Sequence, residues 1–366
     1  MTEKMATTAV MCFSDGSGGM ELDTIKLARF LAPEHDIVLF CKAGSWIEQR
    51  CAELQLPFPV VGLPMASRAF SLSLLRGVRR ELRQHHIRNV VFFGASELKT
   101  LYFAFRGLDI NLIVRHGTTK TRPKKDFFHR LIYSRVNYHV ALSEHLLCNV
   151  RHIIPAGAGT QFIKIMPSFV FAGNNVAGED NRRDNGVNIL HVGRITAGKG
   201  QIDAVQACQG LCETGRDFYL TLLGRKEPGD YSARLDALLG EFPCAARIAL
   251  PGHVDNVEDY LHDADIFLFP SQGEGMPNAF IEALATGCIC IAYRNTVFPE
   301  FRELGFHFHL VADGDIAALR DCLETVVASL DEERQRCEPN RRLAAQLFDR
   351  QREHEQWCAI LRGAAE

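Results

Sequence analysis

Short runs of β-branched and aromatic residues alternate along this chain with longer stretches in which apolar residues recur every three or four positions. In the first half the runs predict strands at 8–13, 36–41, 89–93, 110–115 and 138–142, and the stretches predict helices at 20–32, 46–55, 71–85, 96–106 and 143–150. In the second half strands are expected at 187–192, 217–223, 246–250, 265–269 and 288–292. Helices are expected at 200–213, 231–240, 256–262, 277–286, 315–329, 333–347 and 350–362. Strand–helix alternation at this spacing implies βαβ units and mainly parallel sheets. The stretch 172–186 breaks the pattern: Gly, Asn and Asp dominate it and nothing apolar repeats, so it reads as a linker. The expected architecture is α/β, two Rossmann-like domains of comparable size facing across a cleft. The default ligand site is that cleft, beyond the carboxyl ends of the strands.

Composition narrows the class. A chain of 366 residues suits two domains, and its 47% apolar and 23% charged residues are ordinary for globular protein. A mainly disordered chain, a coiled coil and a disulfide miniprotein are excluded. No apolar run approaches the roughly 20 residues of a membrane-spanning helix, and the first residues lack the form of a signal peptide. The net charge of −3 hides a split. Residues 1–170 hold 22 Lys+Arg and 13 Asp+Glu, or +9; residues 171–366 hold 19 and 31, or −12. Within 76–135 there are 14 basic and 4 acidic residues, or +10. Such asymmetry points to two jobs, one of them facing an anion. The 12 cysteines show no C-x-x-C and no zinc spacing, and read as small hydrophobes in a reducing compartment. His307 and His309 share one strand face, but no third ligand lies near them in sequence, so no metal site is expected.

Three loops carry candidate chemistry. The first is Ser14-Asp-Gly-Ser-Gly-Gly-Met-Glu21, where glycines allow close backbone approach and a helix N-terminus offers N–H groups to an anion. The dinucleotide fingerprint fails there, because Glu21 stands where its third glycine belongs and Lys42, not an acid, ends the second strand. A tight turn without a ligand is the alternative. The second is Phe269-Pro-Ser-Gln-Gly-Glu-Gly-Met-Pro-Asn-Ala-Phe-Ile-Glu282, a strand, a glycine-bracketed loop and a helix. Pro277 suits the first helical turn and Gly287 its end. The N–H groups near Asn278 and Ala279 then face a phosphate, while Glu274 and Glu282 suit sugar hydroxyls. The third is His191-Val-Gly-Arg-Ile-Thr-Ala-Gly-Lys-Gly200, in which Arg194 and Lys199 suit a diphosphate. It is no Walker loop, since Gly200 replaces the magnesium-binding hydroxyl.

The E-x7-E spacing of Glu274 and Glu282, with Gly193-Arg194 and Lys199-Gly200 before it, resembles family four of the retaining GT-B glycosyltransferases. So do the stretch from Leu250-Pro-Gly-His to Phe269-Pro-Ser271, the pair Leu223-Gly224 and the loop Gly18-Gly-Met-Glu21. The C-terminal half matches nearly throughout. The N-terminal half matches at the glycine loop, near His116 and at Ser143. The resemblance implies that Arg194 and Lys199 hold the nucleotide diphosphate beside Gly193, and that Glu282 takes the ribose hydroxyls. Glu274 would hold the donor sugar with the N–H groups of Gly275 and Met276. Gly18 and Gly19 would let the first loop approach the diphosphate or the acceptor. His116 corresponds to a cleft histidine near the C6 edge of the sugar. Pro277 stands where many members have glycine, which reshapes the sugar-facing loop. The resemblance also implies domains at 1–168 and 169–347, with a terminal helix at about 348–366 packing back on the first. Transfer with retention, no metal and a UDP-hexose as co-substrate are further implications.

The N-terminal domain of such enzymes takes the acceptor. Here its basic segments are 76–88 and 115–135, the second holding Arg122, Lys124, Lys125 and Arg130 interleaved with Phe127, Phe128, Leu131, Ile132 and Tyr133. At helical spacing these apolar residues form one stripe beside a basic face, which suits an anionic membrane or a phosphorylated glycolipid. An ordinary solvated face over a core stripe is the alternative. No nucleic-acid recognition module is present. The expectation is a cytoplasmic enzyme, peripheral on the inner membrane face. It would transfer a sugar to a lipid-linked or anionic glycan such as lipopolysaccharide core. A GT-B nucleotide-sugar epimerase and a non-catalytic nucleotide- or carbohydrate-binding protein are the alternatives.

Overall fold

A computed structural model describes residues 7–67, 70–171 and 186–362. The expected linker thus lies, except for Gly186, outside the described residues, as do the first six positions. The chain divides into two compact units, residues 1–166 with 351–366, and residues 167–350.

Unit 1 runs β1 (Thr8–Cys12), α1 (Gly19–Leu31), β2 (Ile37–Lys42), α2 (Trp46–Glu53), β3 (Val60–Leu63), α3 (Leu72–Gln84), β4 (Asn89–Phe93) and α4 (Leu98–Phe105). It continues with β5 (Asn111–His116), α5 (Phe127–Tyr133), β6 (Tyr138–Ala141), α6 (Glu144–Ile153) and β7 (Gln161–Lys164). Its seven strands lie in the order β3-β2-β1-β4-β5-β6-β7, all paired in parallel. Side chains alternate across a strand, and helices cover both faces of this sheet, so central strands read as unbroken apolar runs. Met11, Phe40, Phe92 and Val114 fill one face and Val10, Leu39, Val91 and Ile113 the other. The second face is also covered by Trp357, Ile360 and Leu361, from the terminal helix Arg350–Arg362. Asn111 ties that helix down by donating Nδ2–H to the Ile360 carbonyl at 2.9 Å.

Unit 2 runs β8 (Val187–Val192), α7 (Gln201–Ala207), α8 (Gln209–Glu213), β9 (Phe218–Leu223), α9 (Asp230–Glu241), β10 (Ile248–Gly252), α10 (Val257–Asp263), β11 (Ile266–Phe269) and α11 (Asn278–Thr286). It ends with β12 (Ile289–Tyr293), α12 (Phe298–Glu303), β13 (His309–Val311), α13 (Ile316–Ala328), α14 (Leu330–Cys337) and α15 (Pro339–Leu347); the helix Arg350–Arg362 is α16. Its sheet order, β10-β9-β8-β11-β12-β13, is again parallel throughout. Both orders contain 3-2-1-4-5-6, the doubly wound Rossmann arrangement, whose strand order reverses beside the first strand.

The differences from the expected elements are local. The stretch 200–213 is two helices meeting at Cys208, and 333–347 belongs to two helices, because Pro339 lacks the N–H needed inside a helix and starts a new one. Strands β3, β7 and β13 have three or four residues, too few to display a period, and six-residue α12 was likewise not expected. The reading of every cysteine as a free thiol is corrected at Cys212 and Cys244. The two are 32 residues apart but their Cα atoms lie 6.2 Å apart, and they form a disulfide. Eight of the ten free cysteines are buried like small hydrophobes, and burial pushes the Cys41 thiol up to about 12 and the Cys12 thiol up to about 11, while Cys148 is exposed and Cys322 half-buried. No helix among the described residues is long and apolar enough to cross a membrane.

Candidate functional site

In unit 2 the strand order reverses between β8 and β11, so the loops after these strands flank the crevice that this topology offers a ligand. The 193–200 loop and the 270–277 loop are laced together there. Gln272 donates its backbone N–H to the Gly198 carbonyl at 2.9 Å, and the Ser271 hydroxyl reaches the same carbonyl at 3.1 Å. A Cβ on Gly200, which has φ +80°, would lie 2.0 Å from the Pro270 carbonyl oxygen. Only glycine permits that approach. The same holds at Gly224, φ +144°, where a Cβ would meet the Gly193 carbonyl oxygen at 2.0 Å.

This lacing brings Lys199 and Glu274 together. Lys199 Nζ donates to Glu274 Oε1 at 2.7 Å, and the Ser271 hydroxyl donates to the same oxygen at 2.7 Å. Two donors on one oxygen fix the carboxylate's orientation, and one is charged. Thr296 holds the backbone below: its Oγ1 accepts the Glu274 N–H at 3.2 Å and donates to Asn295 Oδ1 at 3.1 Å. Thr296 does so at φ +43°, a left-handed conformation unfavourable for a β-branched residue, as at strained functional loops. Asn295 in turn donates Nδ2–H to the Ser271 carbonyl at 3.0 Å. His191 is fully buried and contacts the Lys199 carbonyl through Nε2 at 2.8 Å. Burial pushes its pKa down to about 4, so the ring is neutral, and since a carbonyl only accepts, Nε2 carries the proton.

The remaining donor-side residues are placed as follows. Arg194 is exposed and paired with Glu227 at 2.7 Å, not with the Lys199 cluster. Gly193, Gly275 and Met276 are half-buried on the two loops. Pro277 caps α11 from outside the first turn, so Asn278 and Ala279 become its first two residues, and Gly287 follows its last. Glu282 lies half-buried within α11. Ser271, Asn295, Thr296 and His191 were not assigned roles from sequence. Only the strand-end placement of Ser271 and His191 in the motif stretches hinted at them.

Unit 1 has the same topology with different chemistry at its reversal point. Gly18 caps α1 and Gly19 begins it, but the N-terminus is occupied by the helix's own acid: Glu21 Oε2 accepts the Gly18 N–H at 2.9 Å. Glu21 is 4% exposed, and Glu97, at the N-terminus of α4, is 7% exposed. Their charges, with burial as the larger cause, push the Cys12 thiol up. His116 ends β5, fully enclosed, with Nε2 at 2.9 Å from His139 Nδ1. Burial, then the neighbouring His139, Lys120 and Lys124, holds His116 well below the usual imidazole range; burial with Lys120 brings His139 to about 3. Both rings are neutral near pH 7. Lys120 itself is pushed down to about 8 by burial beside Lys124.

The single apolar stripe expected over 127–133 is corrected. Ile132 and Tyr133 enter the core, whereas Phe127, Phe128 and Leu131 are exposed at 83%, 43% and 39%. One turn of α5 therefore shows apolar residues on two sides, because a seven-residue helix lying on the surface buries only the side that meets α4 and the core. Arg122, Lys125 and Arg130 are exposed around the outer side, and Lys124 is half-buried. His307 and His309 meet Glu333, delivered by α14 from 24 residues along the chain, which a reading of neighbours in sequence does not bring to them.

Residues 186–329 match the family described as glycosyl transferases group 1. The amylovoran biosynthesis glycosyltransferase AmsK of Erwinia amylovora is 33% identical over 141 residues, 36% of this chain and 34% of that protein. The putative colanic acid biosynthesis glycosyltransferase WcaL of Salmonella typhimurium is 29% identical over 194 residues, 48% of this chain and 45% of that one. The matched stretches thus span about a third to a half of these relatives. Among solved structures, Anabaena Alr3699/HepE in complex with UDP superposes with a TM-score of 0.80 at 16% identity, covering 98% of this chain and 100% of that one. A glycosyltransferase from Rickettsia africae gives 0.83 at 17%, with both chains covered completely. WaaG, a glycosyltransferase involved in lipopolysaccharide biosynthesis, gives 0.71 at 14%, covering 96% and 99%. The chain has the GT-B fold, and residues 186–329 are similar to the group 1 glycosyl transferases.

Proposed function

We propose that this GT-B protein is a retaining, metal-independent glycosyltransferase. It would move a hexose from a UDP-sugar to a lipid-linked or anionic glycan acceptor of the lipopolysaccharide-core or exopolysaccharide type. The observation that carries the reading is the Lys199–Glu274–Ser271 cluster at the reversal point of the unit 2 sheet. A cation and an oriented carboxylate side by side match the two halves of a nucleotide sugar, a diphosphate and a polyol. The names of the relatives support the class of acceptor, and the UDP bound to HepE supports the donor.

In this reading Lys199 exchanges its bond to Glu274 for one to the diphosphate when the donor enters. The carboxylate then accepts from sugar hydroxyls, with the Gly275 and Met276 N–H groups beside it. One charge-assisted bond replaces another, so the exchange costs little. The α11 N-terminus at Asn278 and Ala279 faces phosphate, Arg194 adds charge from the rim, and Glu282 takes the ribose. The anomeric C–O bond to the diphosphate breaks and the acceptor oxygen bonds the same face of that carbon. The acceptor proton passes to the departing phosphate oxygen, whose charge Lys199, Arg194 and the helix N–H groups stabilise. His116, neutral and buried, would serve as an uncharged hydrogen-bond partner and not as a charged acid. Gly18 and Gly19, with Glu21 and Glu97, would meet acceptor hydroxyls, because a carboxylate accepts from a hydroxyl and repels a phosphate. The exposed Phe127, Phe128 and Leu131 among Arg122, Lys124, Lys125 and Arg130 would rest on an anionic membrane, placing the enzyme peripherally on its cytoplasmic face.

The test is a thermal-shift screen of nucleotide sugars, followed by incubation of the best binder with envelope glycolipid. Retained anomeric configuration in the product supports the reading. Donor consumed without acceptor would indicate an epimerase, and binding without turnover a non-catalytic protein; either result rejects it. Flotation with anionic liposomes tests the membrane contact. No binding at low salt, or unchanged binding after Phe127→Asp with Leu131→Asp, sinks that part alone.

A further inference from the structure

His309 begins β13, one of the two edge strands of the unit 2 sheet, and His307 precedes it by two residues, so both side chains leave the chain on the same side. Glu333 of α14 comes up against them with its side chain only 5% exposed. Its Oε2 lies 2.8 Å from His309 Nε2 and 3.3 Å from His307 Nε2. The other oxygen takes Arg336 Nη1 at 2.7 Å. One ligand atom from each of the three residues lies within 4.8 Å of the other two. The backbone beneath is clamped by Asn340, 1% exposed, which accepts the His307 N–H at 2.8 Å and donates to the His307 carbonyl at 2.7 Å. None of these residues belongs to the donor-side cluster.

We propose that His307, His309 and Glu333 form a binding site for a divalent transition metal, of which zinc is the best fit. Zinc bonds to imidazole nitrogen and carboxylate oxygen are near 2.0–2.2 Å, so two ligand atoms on a tetrahedral ion stand about 3.3 Å apart. The His307–Glu333 separation of 3.3 Å already has that value, and the His309–Glu333 contact must open by about 0.5 Å. Two imidazoles and one carboxylate are a donor set that zinc accepts with a fourth position for water. His307 and His309 are 33% and 26% exposed in their side chains, so water reaches that position. Arg336 on the second carboxylate oxygen is the outer partner that orients a metal-bound carboxylate. The bound ion would clasp α14 to the sheet edge, independently of sugar transfer.

The test uses the full-length, tag-free protein, stripped with chelator and desalted. Titration with zinc chloride followed by calorimetry, and metal analysis after desalting, should find one retained zinc per chain with micromolar affinity or tighter. Magnesium chloride should give no such binding, because magnesium prefers oxygen ligands and keeps its waters. Glu333→Gln and His309→Asn should each lose at least tenfold in affinity. If the buried Glu333 variant fails to fold, His307→Asn at the more exposed position gives the same readout with unchanged circular dichroism. His35, His354 and Cys358 form a second cluster of possible ligands, so Cys358→Ser with His354→Ala serves as the control and should leave that zinc in place. No saturable zinc binding, or binding that survives both histidine substitutions, would reduce the trio to a charge cluster and overturn the proposal.

Discussion

Units 1 and 2 repeat one strand order, yet their reversal points carry opposite chemistry. In the basic half of the chain the crevice beside β1 is lined by buried Glu21 and Glu97, and the helix N-terminus is answered by Glu21 itself. In the acidic half the crevice beside β8 presents Lys199 paired with Glu274, whose carboxylate also accepts from Ser271, on loops that only glycine lets approach. Net charge over 170 residues acts through solvent and is screened within about 10 Å, whereas a ligand meets the few groups at a loop. The shared strand order therefore repeats the crevice, and local side chains give each crevice its own charge. The excess positive charge of unit 1 resides instead on exposed side chains of α3, among them Arg76, Arg80 and Arg83, and around α5.

The comparison can be broken most directly at Glu274. Glu274→Ala should lower kcat/KM for transfer at least about a hundredfold, on the order of 3 kcal/mol, with unchanged far-UV circular dichroism. Near-normal transfer would remove unit 2's claim to the chemistry. The buried histidines distinguish the units next. His116 and His139 in unit 1 have folded pKa values far below the unfolded value of about 6.5. Their contribution is intact above about pH 6.5 and is lost as pH falls towards their folded values, because the unfolded chain takes up protons that the folded unit refuses. The slope is about 1.4 kcal/mol per pH unit for each ring, against one such ring, His191, in unit 2. Urea midpoints at pH 7.0 and 5.5 should show unit 1 losing more, and equal shifts would refute the distinction.

Smaller effects sharpen it. Lys199→Ala should weaken nucleoside diphosphate binding about tenfold by calorimetry, and unchanged affinity would move the anion site elsewhere. Glu21→Ala should cost about 1 kcal/mol through the lost cap on α1, a fall of about 2–4 °C in Tm, while leaving diphosphate affinity unaltered. A loss of affinity in that variant would mean that the two crevices are not chemically separate. Arg194→Ala should weaken diphosphate binding only two- to threefold, an effect that fades above about 0.3 M salt, because its guanidinium is exposed and shared with Glu227.

Which features were legible in the chain follows from their range. Most strand and helix spans, the parallel pairing, the end of α11 at Gly287 and the glycines of the 193–200 loop were readable, because each depends on local period or on one residue's backbone freedom, whereas the short β3, β7, β13 and α12 show no period to read. The split of 333–347 at Pro339 was legible in principle, since proline's missing N–H is itself a local signal. The composition of the clusters was not readable. Lys199 and Glu274 are 75 positions apart, His116 and His139 23, and His309 and Glu333 24. The Cys212–Cys244 pair is of the same kind.

The amino-acid sequence alone settles which faces of each element are apolar, where the backbone can turn, and that two doubly wound α/β units result. Only the tertiary structure settles which element covers each face. That choice sends Ile132 and Tyr133 inward and leaves Phe127 and Phe128 outside, brings Lys199 to Glu274, and sets Glu333 against two histidines. The physical reason is that periodicity records how a segment meets its surroundings on average. A hydrogen bond or an ion pair needs two particular atoms within about 3 Å, and only packing over long separations brings them there.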